Sequence, residues 1–210
     1  MNYLKILIAD DHSILRNGIA NLLRNEFRNV EIVEVDNGLD VIEKTRQDKW
    51  DLILLDITMP GINGLDALKQ IRVSGVKAPV LIISMQPENL YAMRALKAGA
   101  SGYFNKMSLN SEFIVAIRKV LEGKKYLTES VREIIALGID NNDRATHESL
   151  SDREMEILIL IAKGKSNSVI CKELFLSSST VSTYKAKILE KLNLSNNAEL
   201  TRYALDNQLL

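Results

Sequence analysis

Over roughly the first 125 residues, short β-branched runs alternate with segments whose apolar residues recur three and four positions apart, and no other feature restricts the fold as strongly. The runs are Leu4 to Ala9, Val30 to Val35, Leu52 to Leu55, Val80 to Ser84 and Gly102 to Phe104. Between them lie sets such as Ile14, Leu15, Ile19, Leu22 and Leu23, and later Phe113, Ile114, Ile117, Val120 and Leu121, each forming one apolar face of a helix. Strands that alternate with helices pair in parallel and carry their helices on the sheet faces. Leu52-Ile53-Leu54-Leu55 is apolar without alternation, as in a strand covered on both sides. The expectation for residues 1–125 is an α/β domain built on a five-stranded, doubly wound parallel sheet.

After Gly123 the pattern fades through one expected helix, Thr128 to Gly138, into Asp140-Asn141-Asn142-Asp143, a polar, turn-rich stretch typical of linkers. Residues 126–148 therefore read as a linker. Residues 149–210 contain no strand signal and read as a small all-α domain of four short helices. Ser151-Asp152-Arg153-Glu154 is a capping box that opens the first of them, with Leu150 and Met155 placed as a hydrophobic staple. Two domains suit a chain of 210 residues that is 46% apolar and 26% charged, a composition that excludes a disordered chain.

Other classes fall away on equally simple grounds. No stretch approaches the roughly 18 apolar residues of a membrane span, and Met1 to Asp10 lacks the basic start and small-residue cleavage site of a secretory signal. A cytoplasmic protein with no membrane contact is expected. The one cysteine, Cys171, has no disulfide partner, and with His12 and His147 alone beside it no structural zinc spacing exists.

In a doubly wound sheet, functional groups gather beyond the carboxyl ends of the strands. Here the first strand ends in Asp10-Asp11, the third in Asp56 and the fourth in Ser84, while the fifth leads into Lys106. Three carboxylates brought together without counter-charge would drive one of them to protonate. A cation resolves the conflict, and Mg2+ suits one or two carboxylates together with waters and a phosphoryl oxygen. A carboxylate nucleophile can form an acyl phosphate when a metal and a fixed ammonium offset the charge on the transferring oxygens. Lys106 supplies the ammonium and Ser84 a hydroxyl. Taken singly, each residue has a plainer role: Asp11 as a helix cap, Asp56 as a strand end at a turn, Lys106 as a solvated lysine. Five such residues at successive strand ends are hard to explain that way.

The stretches Ile8-Ala9-Asp10-Asp11-His12, Leu54-Leu55-Asp56-Ile57-Thr58-Met59-Pro60-Gly61-Ile62-Asn63-Gly64, Leu81-Ile82-Ile83-Ser84 and Ala98-Gly99-Ala100-Ser101-Gly102-Tyr103-Phe104-Asn105-Lys106 make residues 1–125 similar to a flavodoxin-like response-regulator receiver domain. The resemblance implies that Asp56 accepts phosphate from a sensor histidine kinase. It also implies that Asp10, Asp11, Asp56 and the Thr58 carbonyl surround Mg2+, and that Ser84 and Lys106 bind the phosphoryl group. Tyr103 matches the aromatic switch that turns inward as Ser84 moves toward the phosphate. Two departures stand out. Met107 replaces the proline that commonly follows the lysine, and Met85 follows Ser84 where a small residue is usual; Met85 is expected to shield the phosphoryl group partly from water.

The second domain reads helix, turn, helix: Ser168 to Leu174, then Phe175 to Ser178, then Thr180 to Leu192. In the last helix Val181, Ile188, Leu189 and Leu192 form an apolar stripe, opposite Ser182, Thr183, Ala186 and Lys187, with Lys185 and Lys191 at the flanks. Short residues let a helix approach base edges in the major groove, and lysines bind phosphates. Charge adds little, since residues 151–210 hold eight basic and seven acidic side chains. As a bare pattern a solvated amphipathic helix explains it better.

Leu150-Ser151-Asp152-Arg153-Glu154, Ala162 to Asn167, Leu176 to Tyr184, Lys191-Leu192-Asn193-Leu194 and Asn197-Ala198-Glu199-Leu200 resemble the LuxR-type DNA-binding domain of the NarL/FixJ family. That resemblance places base contacts on Ser182, Thr183 and Ala186 and phosphate contacts around Lys165, Ser178, Thr180, Lys185 and Lys187, on double-stranded promoter DNA. It also implies a homodimer in the phosphorylated or DNA-bound state, paired through the last helix, about Ala198 to Asn207. Cys171 reads as a small core residue.

The whole chain is thus expected to be a transcriptional response regulator and no enzyme. A phosphatase of the haloacid dehalogenase type shares the strand-end Asp, Mg2+, hydroxyl and lysine, but needs a second acid two residues after the nucleophile, where this chain has Thr58. A receiver that works without phosphate would show a lost acidic residue, and none is lost.

Overall fold

The computed structural model describes residues 3–108, 111–136 and 146–210, which form two compact units, Met1–Leu137 and Gly138–Leu210. In the first, β1 (Leu4–Ala9), β2 (Val30–Val35), β3 (Leu52–Leu55), β4 (Val80–Ser84) and β5 (Gly102–Asn105) make one parallel sheet in the order β2-β1-β3-β4-β5. Helices α1 (Ser13–Glu26), α2 (Gly38–Gln47), α3 (Gly64–Val73), α4 (Glu88–Lys97) and α5 (Ser111–Leu121) follow the strands in turn. All five expected strands are present, and β5 runs one residue further than expected.

Alternation explains how one apolar strand serves two cores. Ile6, Ile8, Leu52, Leu54, Leu81, Ile83 and Phe104 pack against Ile19, Ala20 and Leu23 of α1 and Phe113, Ala116, Ile117 and Val120 of α5. Leu7, Ile53, Leu55 and Ile82, on the intervening positions, are equally buried. Burying side chains of this size stabilises the fold by roughly 1.5–3 kcal/mol each before the entropy of ordering the chain is counted.

Residues beyond α5 also pack on this unit. Tyr126 forms a parallel bridge with Gly102 and donates its hydroxyl to Glu112, 2.8 Å away. The expected helix from Thr128 is α6 (Glu129–Ala136), and it packs on α4: Thr128 donates to Glu88 Oε1 at 2.8 Å, and Val131 is buried. Its expected last residues and the polar stretch Asp140 to Asp143 lie outside the described residues.

The second unit opens with a 3-10 turn (Thr146–Ser149), then α7 (Asp152–Ala162), α8 (Asn167–Glu173), α9 (Ser178–Leu192) and α10 (Asn197–Asp206). The capping box forms as expected, Ser151 accepting from Glu154 N and the Glu154 carboxylate from Ser151 N, and the staple residues Leu150 and Met155 are both buried. Helix α9 begins at Ser178, two residues earlier than expected, because Ser177 caps it by accepting from Thr180 N at 3.1 Å. Asn193 ends it in the left-handed region, φ 54°, a conformation that asparagine tolerates. Among the described residues no helix is long and apolar enough to cross a membrane.

Candidate functional site

Because β1 and β3 are parallel neighbours in register, their ends emerge side by side, Asp56 N donating to Ala9 O at 2.9 Å, while Asp10 N donates to Val35 O of β2 on the other side at 3.2 Å. The two carboxylates therefore sit together at the carboxyl edge of the sheet, and both side chains are almost fully buried. From the end of β5, Lys106 reaches between them, its ammonium 2.7 Å from Asp56 Oδ2 and 2.8 Å from Asp10 Oδ2. Asp56 Oδ1 accepts from Ile57 N at 2.7 Å, and Asp10 Oδ1 from His12 N at 2.9 Å. Asp11 is half-buried at the rim.

One ammonium against three acids leaves the pocket short of positive charge. Burial, reinforced by Asp10 and Asp11, pushes the Asp56 carboxyl up to about 7 in spite of Lys106. Two oxygens, Asp10 Oδ2 and Asp11 Oδ1, accept no aligned hydrogen bond although each touches a nitrogen at 2.8 Å. A cluster of carboxylate oxygens this rich in negative charge fits a hard divalent cation, so the pocket of Asp10, Asp11 and Asp56 is compatible with a bound metal.

Ser84 and Tyr103 stand beside this pocket, tied together by Gln86. Gln86 N donates to Ser84 Oγ at 3.2 Å, and the Tyr103 hydroxyl donates to Gln86 O at 2.5 Å. Tyr103 is turned inward and buried, and burial raises its phenol pKa. The Gln86 amide also approaches Thr58 Oγ1, at 3.5 Å. The Met85 side chain is 59% exposed next to Ser84. The Lys106–Met107 peptide is trans; among the described residues no peptide bond is cis.

Two contributors were invisible in the sequence. Gln86 works mainly through its backbone N–H and carbonyl, which carry no residue signature. Arg16 donates to the Asp10 carbonyl at 2.5 Å and pairs with Glu34 at 3.3 Å, pinning the turn after β1. Its only signal was a basic residue one turn into α1.

In the second unit the apolar stripe of α9 faces inward through Val181, Ile188 and Leu192, while Ser178, Ser182, Thr183, Ala186 and Lys187 are exposed and Thr180 and Lys185 are half-exposed. Lys165, before α8, reaches both carboxylate oxygens of Glu173 at 2.6 Å. Lys191 does not flank the polar face as a free cation: it pairs with Glu154 of the capping box at 2.7 Å. Cys171 is half-buried, not a core residue, because α8 turns that side toward the surface. A buried Arg153 pairs with Glu156 at 2.7 Å and donates to Leu174 O at 2.6 Å, fixing the end of α8 against α7.

Comparison with known proteins matches each unit to a family: the response regulator receiver domain over residues 6–118, and the bacterial regulatory proteins of the luxR family over residues 148–204. The virulence-factor transcription regulator BvgA of Bordetella pertussis is 37% identical over 209 residues, covering 99% of both chains. The response regulator UvrY of Escherichia coli is 32% identical over 209 residues, covering 98% of this chain and 95% of UvrY. Among solved structures, RcsB of Salmonella enterica bound to a promoter in the presence of the phosphomimetic BeF3− aligns with a TM-score of 0.59 at 26% identity, over 96% of this chain and 98% of that one. A LuxR-family response regulator from Aurantimonas aligns with a TM-score of 0.59 at 30% identity, over 65% of this chain and 98% of that one.

Proposed function

Since the chain belongs to the two-component response regulators of the NarL/FixJ family, DNA-binding transcription regulators and not enzymes, we propose that its Asp56 accepts a phosphoryl group from a sensor histidine kinase and thereby controls promoter binding. The observation that carries this reading is the Lys106 ammonium held between Asp10 and Asp56 at the end of adjacent strands. In the transfer, Asp56 Oδ attacks phosphorus, the P–N bond to the kinase imidazole breaks, and the imidazole leaves with its electron pair. Lys106 offsets charge on the phosphoryl oxygens, and Ser84 offers its hydroxyl proton to one of them. Asp10, Asp11 and Asp56, with the Thr58 carbonyl, would hold Mg2+, which supplies the remaining counter-charge. Tyr103, already inward on Gln86 O, is the switch that follows the Ser84 hydroxyl.

The division into a receiver at 1–125, a linker at 126–148 and a DNA-binding domain at 149–210 goes with this reading. Helix α9 enters the major groove with Ser182, Thr183 and Ala186 at base edges, while Lys165, Ser178, Thr180, Lys185 and Lys187 meet phosphates. Helix α10, which exposes Leu205, pairs two copies in a homodimer on paired half-sites. The protein works in the cytoplasm, where kinase and promoter DNA are both within reach.

Incubation with Mg2+ and a small phosphodonor, followed by intact mass and sedimentation, tests the chemistry and the assembly together. One phosphoryl adduct and a shift toward dimer are expected, both absent in Asp56→Ala. Phosphorylation should strengthen binding to paired half-sites more than to a single one; an equal gain on both in a gel shift would contradict dimer-driven control.

A further inference from the structure

The acidic pocket has a nitrogen at its rim. Asp10, Asp11, His12 and Asp56 each offer one ligand atom, and these four atoms lie within 4.8 Å of one another. His12 Nδ1 is 2.8 Å from Asp11 Oδ1 and 3.6 Å from Asp10 Oδ1. Two adjacent ligands each about 2.1 Å from one octahedral ion stand roughly 3.0 Å apart, so the His12–Asp11 pair already has the spacing of a shared ion and the His12–Asp10 pair would close by about 0.6 Å on binding it.

Local structure holds the imidazole there. His12 is the N-cap of α1 but makes no side-chain capping bond, while its backbone N–H is spent on Asp10 Oδ1. The ring is thus not diverted to the helix end, and its side chain is 67% exposed, which leaves the rim open to an entering ion. The oxygen it touches, Asp11 Oδ1, accepts no aligned hydrogen bond.

We infer that His12 Nδ1 is a further ligand of this ion site, so that the pocket binds imidazole-seeking divalent ions such as Co2+ more tightly than its carboxylates alone would. The inference rests on the divalent-ion reading of the site. Mg2+ takes oxygen ligands and gains little from an added nitrogen, whereas ions later in the first transition row bind imidazole well. His12 therefore separates the two kinds of ion in a way that Asp10, Asp11 and Asp56 cannot.

Calorimetric titration of the untagged full chain with Mg2+ and, separately, with Co2+ tests this at one fixed pH. Comparing wild type, His12→Ala and His147→Ala, the His12 variant should lose at least ~10-fold in Co2+ affinity while Mg2+ changes by no more than about twofold, and the His147 variant should match wild type. The visible bands of bound Co2+ should shift in His12→Ala, and circular dichroism checks that this variant is folded. Unchanged Co2+ binding, or an equal loss for both ions, overturns the inference and leaves the ion reading intact, since His12 would then do nothing or merely orient Asp11. Failure of wild type to bind either ion overturns the ion reading itself, and the inference with it.

Discussion

Lys106 Nζ and Asp56 Oδ2 are 2.7 Å apart in a region almost closed to solvent, with Asp10 on the ammonium's other side at 2.8 Å. A buried pair of this kind need not stabilise the fold relative to apolar residues, but removal of one partner strands the other.

Lys106→Met should therefore be destabilising. It leaves Asp10 and Asp56 facing each other without counter-charge, at a cost of about 3 kcal/mol in metal-free buffer at pH 8. Mg2+ should restore part of the loss by replacing the missing charge. Urea unfolding with and without Mg2+ measures both effects, and an Mg2+-independent loss would speak against a cation among these carboxylates.

Asp56 adds a pH dependence whose sign follows from its raised carboxyl. Its ordinary value is 3.8, and the folded protein holds it at about 7. Between these values the folded state binds the extra proton, so this group's favourable contribution is complete below about 4 and is lost as pH rises through about 7. Asp56→Asn keeps the shape without the charge. In metal-free buffer its advantage over wild type should be larger by about 2.5 kcal/mol at pH 8 than at pH 5, as read from paired denaturation curves. An advantage that grew toward acid pH would contradict the assignment.

In the DNA-binding unit, Glu173 holds Lys165 by both carboxylate oxygens. Glu173→Gln frees that lysine for a phosphate. Promoter affinity should rise in fluorescence anisotropy titrations, because Lys165 then meets its phosphate without first leaving a carboxylate. An unchanged affinity would remove Lys165 from the DNA contacts.

Lys187 and Lys191 lie one turn apart on α9 and should behave oppositely. Lys187 is exposed, so Lys187→Ala should weaken DNA binding and lower the salt slope by about 0.9 with stability unchanged. Lys191 is held by the Glu154 carboxylate, so Lys191→Ala should cost about 1 kcal/mol of stability and leave the slope alone. Thermal unfolding beside anisotropy separates the two.

That contrast marks where sequence reasoning stops. The strands and the set Asp10, Asp56, Ser84 and Lys106 were legible because parallel strands must deliver their carboxyl ends to one edge. Side-chain type and spacing carry such information. They carry none about Gln86, whose peptide groups join Ser84 to Tyr103, and none about which distant acid captures a lysine. Lys191 meets a carboxylate 37 positions away, whose presence there depends on how α7 packs on α9. Tyr126 is similar: it extends the sheet edge through Gly102, a contact that appears only once β5 is in place.

Gly64 opens α3, and its N–H donates to Ile57 O at 2.8 Å, folding the loop after β3 back onto the strand end. A methyl group at that position would overlap the carbonyl oxygen of Asp56. Asp56 and the loop are in effect a single casting, with no slack between them. If codon 64 were randomised and survivors chosen for phosphate uptake, glycine alone should return, although residue 64 never touches phosphorus.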